Sequence, residues 1–327
     1  GNPVLIKPAT ASSAIAHGFF QRLLAAGFPK DVIHFLPGPG AEIGNFLVSH
    51  PRISQIAFTG SKEVGLGIIA KAGQTQPGQP EVKRVICEMG GKNAIIVDED
   101  ADLDAALKGV MHSAFGYAGQ KCSACSRLIV VGDIQQTVMN RLLKACQSLP
   151  MAAATDPACR LGPVIDQNAR ERLGALIANP PPGAELVYLG DTPSSGFFIP
   201  PALFLVKDAA NPMLQEEFFG PILTVIRAAS FDLALEIANA TEFALTGGVY
   251  SRSPRHIAQA RREFKVGNLY INRSCTGAIV NRQPFGGFGM SGIGTKAGGP
   301  GYLRHFANPR CITENTMRSG FTADFQM

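Results

Sequence analysis

The sequence predicts an α/β protein built on a parallel sheet, and three observations lead there. Short apolar runs alternate with amphipathic stretches of roughly ten to fifteen residues, the pattern of βαβ units. Glycine (36 residues) and proline (23) fall in clusters between those runs, so tight turns separate short elements. Apolar residues make up 46% of the chain and charged residues 17%, a mix that fills a large core and excludes intrinsic disorder. At 327 residues the chain is long for one domain and comfortable for two, and no internal repeat is visible.

Val4-Leu5-Ile6 is an apolar strand that stops at Lys7-Pro8. Ser12 or Ser13 is placed to cap the next helix, which runs to about residue 26 and ends at Gly27 and Pro29. Residues 32–36 form a second strand, closed by Pro37-Gly38-Pro39-Gly40, and a helix follows to about residue 48. Residues 53–58 are a third strand, ending in Thr59-Gly60-Ser61, with helix again to about residue 72. A polar loop leads to a fourth strand over 82–87, closed by Glu88-Met89-Gly90-Gly91. A strand over 94–97 and an amphipathic helix over 103–116 come next, interrupted by Gly119-Gln120-Lys121-Cys122. Beyond it, strands are expected over 128–131, 186–188, 223–226, 248–250 and 268–271, and helices over 134–149, 167–177, 231–238 and 254–264. The expected division is a nucleotide-binding unit over 1–116, a catalytic unit over 117–300 and a tail over 301–327.

Some functions are disfavoured at this stage. No apolar run reaches the roughly 18 residues of a membrane span. The 30 basic and 25 acidic residues give a net charge of +5 without a block of like charges, so nucleic-acid and lipid surfaces have little support. The basic balance fits an enzyme of anionic substrates, as a weak inference. Seven cysteines, an odd number, argue against a secreted disulfide framework and for a reducing, cytoplasmic setting. The chain does not begin with Met and carries no signal or transit pattern.

In parallel sheets, ligands sit outside the carboxyl ends of the strands. Here those ends carry Lys7, Gly38, Gly40, Gly60, Ser61 and Glu88. A lysine, small residues and one carboxylate along an edge suggest a nucleotide site with chemistry beside it. Cys122, next to Lys121 on a glycine-led turn, is placed for a lowered thiolate pKa, although a free cysteine is more often a small buried hydrophobe. Cys122 and Cys125 form a CxxC, but no second pair or close His pair completes a zinc site, and the context of a thioredoxin-type pair is missing. Glu88 ends a buried strand, where burial would raise its pKa toward that of a general base; a structural carboxylate holding backbone N–H groups is the equal alternative. The six histidines are scattered without metal spacing. No GxSxG elbow or Walker A loop is present, and no GxGxxG lies in a βα turn. Pro284-Phe285-Gly286-Gly287-Phe288-Gly289 is either a backbone cradle or a tight turn.

Together these residues resemble the aldehyde dehydrogenase superfamily. Asn2 with Lys7-Pro8-Ala9, Phe58-Thr59-Gly60-Ser61, Glu88-Met89-Gly90-Gly91-Lys92-Asn93, Gly119-Gln120-Lys121-Cys122, Glu216-Glu217-Phe218-Phe219-Gly220-Pro221 and Pro284-Phe285-Gly286-Gly287 match its motifs in order. The resemblance implies a Rossmann-like cofactor domain, incomplete at its N-terminus, followed by an α/β catalytic domain. Within the superfamily, residues 119–127, 268–280 and 298–300 resemble the L-glutamate γ-semialdehyde (Δ1-pyrroline-5-carboxylate) dehydrogenases of proline catabolism.

The resemblance implies Cys122 as nucleophile and Glu88 as general base. The thiolate attacks the aldehyde, hydride passes to NAD, and Glu88 activates the water that hydrolyses the thioester. It implies cofactor contacts from Lys7, Gly40, Gly60, Ser61, Met89, Glu217 and Phe219. Ser61 would meet the pyrophosphate at a helix N-terminus, and Lys7 and Glu217 would hold the two riboses. Ser123 and the backbone of Gly277 and Ala278 would grip the substrate carboxylate, with Phe285 at the substrate mouth. Thr10 stands where many NAD-preferring relatives carry an acid, so NADP stays open as an alternative. The family's chain begins well before this one, and the early part supplies an oligomerisation hairpin and an Asn that donates to the oxyanion. A homo-oligomer and an upstream N-terminal piece are therefore the expected partners, and a mitochondrial origin stays open beside the cytoplasmic one. A catalytically weak or silent structural relative is the competing reading. The joint presence of Cys122, Glu88 and the Gly277-Ala278 grip favours the catalytic lineage.

Overall fold

The computed structural model describes residues 2–317; Gly1 and residues 318–327 of the expected tail lie outside the described residues. The chain opens with two separate parallel strand pairs. β1 (Val4–Ile6) pairs with β2 (Ile33–Phe35), and α1 (Ser13–Ala25) crosses between them. A π-helical turn over Gly40–Gly44 leads into α2 (Asn45–Ser49). β3 (Gln55–Thr59) pairs with β4 (Arg84–Glu88) in a register that sets Thr59 opposite Glu88, and α3 (Lys62–Ala72) connects them. α3 starts where expected because the Ser61 hydroxyl accepts from the Val64 N–H, with Glu63 in the first turn and Lys71 in the last. α1 differs from expectation. The Ser12 hydroxyl turns back to the Ala9 carbonyl at 3.1 Å, and the helix has no side-chain cap.

The remaining elements are β5 (Asn93–Val97), α4 (Leu103–Phe115), β6 (Cys125–Val131), α5 (Gln135–Gln147), α6 (Gln167–Ala178), β7 (Ala184–Leu189), β8 (Ala202–Val206), β9 (Ile222–Ala228), α7 (Phe231–Asn239), β10 (Phe243–Ala244), β11 (Thr246–Tyr250), α8 (Pro254–Glu263), β12 (Asn268–Ile271) and β13 (Phe288–Gly289). Seven of these strands form one sheet in the order β12-β11-β5-β6-β9-β8-β7, parallel throughout except for β7 against β8. β10 and β13 make a small antiparallel pair.

Strand pairing does not follow the expected break near residue 116. β5 lies in the seven-stranded sheet between β11 and β6, so the division in pairing falls between Glu88 and Asn93. β8, which the sequence reading left out, lies inside the sheet between β7 and β9.

The central strands are buried on both faces, which is why they read as unbroken apolar runs. Ile95, Val97, Leu128 and Val130 pack with Val110, Leu142 and Val225 on one side. Ala94, Ile96 and Ile129 pack with Leu173, Phe204, Ala234 and Leu235 on the other. Each such side chain contributes roughly 1.5–3 kcal/mol of burial. This two-sided core holds rigid the strand ends of β5 and β6, from which the residues below project. Among the described residues, no helix is long and apolar enough to cross a membrane.

Candidate active site

The turn between α4 and β6 carries Cys122. Tyr117, Ala118 and Gly119 all take positive φ (61°, 54° and 65°), an unusual run for non-glycine residues and a store of backbone strain. Gly119 is required there twice over: its φ favours glycine, and a Cβ would overlap the Gly220 carbonyl. The turn is pinned by Asn93 at the start of β5. The Asn93 amide donates to the carbonyls of Cys122 (2.7 Å) and Ala124 (2.9 Å), while its oxygen accepts from the Thr246 N–H on β11 (2.9 Å). Gln120 anchors the other flank by accepting from the Ile165 N–H at 2.9 Å.

The expected lowering of the Cys122 thiol is corrected by the structure. Lys121 turns away and lies over the Tyr117 ring, 5.8 Å from its centroid. Burial pushes the thiol up, and the carboxylates of Glu217 and Glu88 push the same way; the N–H of Ser123 opposes them. Cys122 is half-buried, whereas Cys125, its CxxC partner in sequence, is 1% exposed in the core.

Glu88 ends β4 and faces the loop that follows Phe285. Its Oε2 accepts from the Gly287 N–H at 3.2 Å, while Oε1 is buried without a partner. Burial pushes the carboxyl up to about 7, with the Gly287 N–H and the Lys296 ammonium acting against it. Lys296 is held by the carbonyls of Gly267 and Gly286, beside the carboxylate. Backbone bonds fix both neighbours of the turn: Gly60 N–H to the Glu88 carbonyl (3.1 Å) and Met89 N–H to the Ser291 carbonyl (2.8 Å).

Glu217 reaches the turn after β4 from the opposite side. Its carboxylate accepts from the Gly91 N–H at 3.0 Å, and a Cβ at Gly90 would run into it. Burial raises this carboxyl, while the Gly91 N–H, Lys92 and Arg172 counteract. Phe219 next to it takes a positive φ of 53° and is 42% exposed.

The expected cofactor residues divide between the two strand pairs. Lys7, at the end of β1, donates to the carbonyls of Pro8 and Gly38, close to the start of the Gly40 turn. Gly60 and Ser61 lie at the end of β3, and the N-terminus of α3 presents helix N–H groups suited to an anion. Met89 is buried behind Gly65. An ammonium, a helix N-terminus and a carboxylate over a bare glycine turn fit the hydroxyls and phosphates of a dinucleotide.

Of the expected substrate residues, Ser123 follows Cys122 directly, and Gly277 and Ala278 follow a segment tied to it. The Ser123 carbonyl accepts from Thr246 Oγ1 (3.4 Å) and from the Cys275 thiol (3.5 Å), which ties the segment leading to Gly277 and Ala278 to the residue after Cys122. Gly277 is exposed, with φ +81° and open space around it. Phe285 pairs with Ala297 through two backbone bonds, 2.9 and 2.7 Å, at the base of the loop that faces Glu88.

Sequence reasoning assigned no role to three residues that shape this site. Asn93 is one. Arg127, 2% exposed on β6, donates to the carbonyls of Lys92 (2.7 Å), Ile237 (3.0 Å) and Ala238 (2.8 Å), joining the β4–β5 turn to the end of α7. Lys92 is 1% exposed, and its ammonium sits 4.2 Å from the centroid of the Phe218 ring. The signal for Arg127 was its place in an otherwise apolar strand.

Comparison with known proteins follows the same lines. A family model described as the aldehyde dehydrogenase family matches residues 1–312. A curated 1-pyrroline-5-carboxylate dehydrogenase from Geobacillus thermodenitrificans is 48% identical over 315 residues, covering 96% of this chain and 61% of its own. 1-Pyrroline-5-carboxylate dehydrogenase 2 from Bacillus subtilis is 46% identical over the same shares. Among solved structures, proline utilization A from Bdellovibrio bacteriovorus superposes with a TM-score of 0.95 at 51% identity, covering 98% of this chain and 33% of that one. A 1-pyrroline-5-carboxylate dehydrogenase from Thermus with bound NAD superposes with a TM-score of 0.91 at 48% identity, covering 94% and 59%. The chain thus spans about three fifths of the length of the curated relatives it matches.

Proposed function

The chain belongs to the aldehyde dehydrogenase family and has its α/β fold, and on that premise we propose that it oxidises L-glutamate γ-semialdehyde to L-glutamate with a nicotinamide cofactor, NAD in particular. The observation that carries the reading is geometric. Glu217 accepts from the Gly91 N–H at 3.0 Å, a Cβ on Gly91 would meet the Cys122 carbonyl, and Glu88 opens the same Glu88–Gly91 turn, which supports one space for nucleophile, base and ribose carboxylate. The names of the relatives supply the substrate.

Cys122 is the nucleophile. Its thiol gives up its proton to water as the sulfur adds to the aldehyde carbon, and its own backbone N–H donates to the oxyanion that forms. The bound nicotinamide supplies a hydride acceptor for the aldehyde carbon. The carbon–sulfur bond that remains is a thioester. Glu88 takes a proton from water, the hydroxide adds to the thioester carbon, and the sulfur leaves as thiolate while glutamate departs. A carboxyl near 7 suits both halves of that role, since it accepts the proton and then sheds it near neutral pH. Ser123 and the backbone at Gly277 and Ala278 hold the substrate carboxylate. Phe285 lines the approach. Lys7, Gly40, Gly60, Ser61, Met89, Glu217 and Phe219 hold the cofactor. A homo-oligomer is the expected assembly.

The test is reduction of NAD with glutamate semialdehyde, by the purified chain and by the chain completed with the remaining portion its relatives carry. Activity should vanish in Cys122→Ala. Equal turnover of simple aliphatic aldehydes would defeat the substrate assignment, and activity surviving in Cys122→Ala would defeat the mechanism.

A further inference from the structure

Lys92 stands out among the buried polar groups. Its side chain is 1% exposed, and its ammonium has no hydrogen-bond partner. Removing an ammonium from water without hydrogen bonds to replace those it loses is among the most unfavourable placements a side chain can take. A methionine would fill much the same volume without that cost. The structure therefore carries a costly amine at this position, and its surroundings say what it faces.

Four kinds of group surround it. The Phe218 ring offers its face at 4.2 Å from ammonium to centroid, a cation–π contact. Glu217 and Glu216 favour the charged amine, as does Cys125 more weakly; burial and the guanidinium of Arg127 oppose it, and together they bring Lys92 down to about 7. Glu217 feels the same pair from its own side. Burial raises its carboxyl, and Lys92 is one of the counteracting groups, with the Gly91 N–H and Arg172. The backbone of Lys92 is fixed independently by Arg127, which accepts nothing and donates to the Lys92 carbonyl at 2.7 Å. The amine is thus free of the task of holding its own turn.

We infer that Lys92 is a positioning residue for Glu217: its amine, seated on the ring of the adjacent Phe218, holds the Glu217 carboxylate over the Gly90–Gly91 turn that runs directly into Lys92. The inference rests on the reading of Glu217 as the ligand of the nicotinamide ribose. A protonated or outward-swung carboxyl would accept fewer hydrogen bonds from ribose hydroxyls, so the lysine acts on cofactor binding without touching cofactor.

A double-mutant cycle on binding and stability tests this. NADH affinity is read by calorimetry and thermal midpoints by unfolding, in the protein, Lys92→Met, Glu217→Gln and the double variant. Lys92→Met should weaken NADH binding by about tenfold, the scale of a partly screened charge pair. The midpoint should change little, because removing an amine without a hydrogen-bond partner offsets the loss of its attraction to Glu217. In the Glu217→Gln background, Lys92→Met should weaken binding no further. A lowered midpoint with unchanged NADH affinity would assign Lys92 a packing role and overturn the inference. Additive losses in the double variant would overturn it as well, with the reading of Glu217 intact. A protein in which Glu217→Gln leaves NADH affinity untouched would remove that reading, and the inference with it.

Discussion

Replacing Glu88 by Gln separates two consequences of one buried carboxyl. The group is pushed up to about 7 from an ordinary value of 4.5, chiefly by burial. A carboxyl raised by folding contributes stability that is complete below about 4.5 and is lost as pH rises through about 7. That difference corresponds to about 3 kcal/mol before screening. Glu88 keeps partial contact with solvent, and screening leaves about 1–2 kcal/mol. Glutamine cannot ionise, so Glu88→Gln should gain about 1–2 kcal/mol on the natural chain between about pH 5 and about pH 8. Urea unfolding of both proteins at the two pH values measures this. Any fixed cost of placing an amide where Oε1 lacks a partner cancels in the comparison. The same variant should keep its first round of cofactor reduction and then stall as acyl-enzyme, with turnover down about 10²–10⁴-fold. Parallel stability profiles would refute the burial argument, and unchanged turnover would refute the role of Glu88 as base.

Asn93→Ala strands two carbonyls and one N–H around the Cys122 turn and should cost about 3 kcal/mol, read from urea midpoints; a loss below about 1 kcal/mol would mean the turn holds itself. Gly119→Ala and Gly277→Ala share a positive φ but differ in surroundings. The first drives a Cβ into the Gly220 carbonyl and should cost roughly 3 kcal/mol or more, the second only about 1 kcal/mol, and equal losses would remove the steric argument. Glu217→Gln removes one of the charges that push the Cys122 thiol up, so alkylation by iodoacetamide at fixed pH should quicken. A slower reaction would put the sign of that interaction in error.

Most elements were legible because their chemistry is local. The strands of the first unit stop at Pro or Gly, Ser61 caps α3, and the two-sided burial of β5 and β6 shows as continuous apolar residues. β8 escaped because its five apolar residues follow Pro200-Pro201 in a Gly- and Pro-rich stretch, with no periodicity to mark them. Motifs single out Cys122 and Glu88 in the sequence itself, whereas contacts between residues distant along the chain leave no local mark. Asn93 finds its partners on Cys122, Ala124 and Thr246, far along the chain. The direction of the Cys122 thiol was misread for the same reason. The adjacent lysine looks decisive in sequence, yet in space it faces Tyr117 while two remote carboxylates set the balance.

The separation between what anchors the Cys122 sulfur and what carries the proposed substrate grip has a practical side. Asn93 and the strained run before Cys122 are rooted in the sheet, whereas Gly277 and the exposed Ile279 and Val280 belong to a surface loop with open space around the glycine. If the loop meets substrate and Cys122 is the nucleophile, as proposed, a laboratory library confined to residues 277–280 varies which aldehydes are accepted while the sulfur stays where the framework keeps it, whereas variation at Asn93 or at Gly119 lowers activity toward every aldehyde alike.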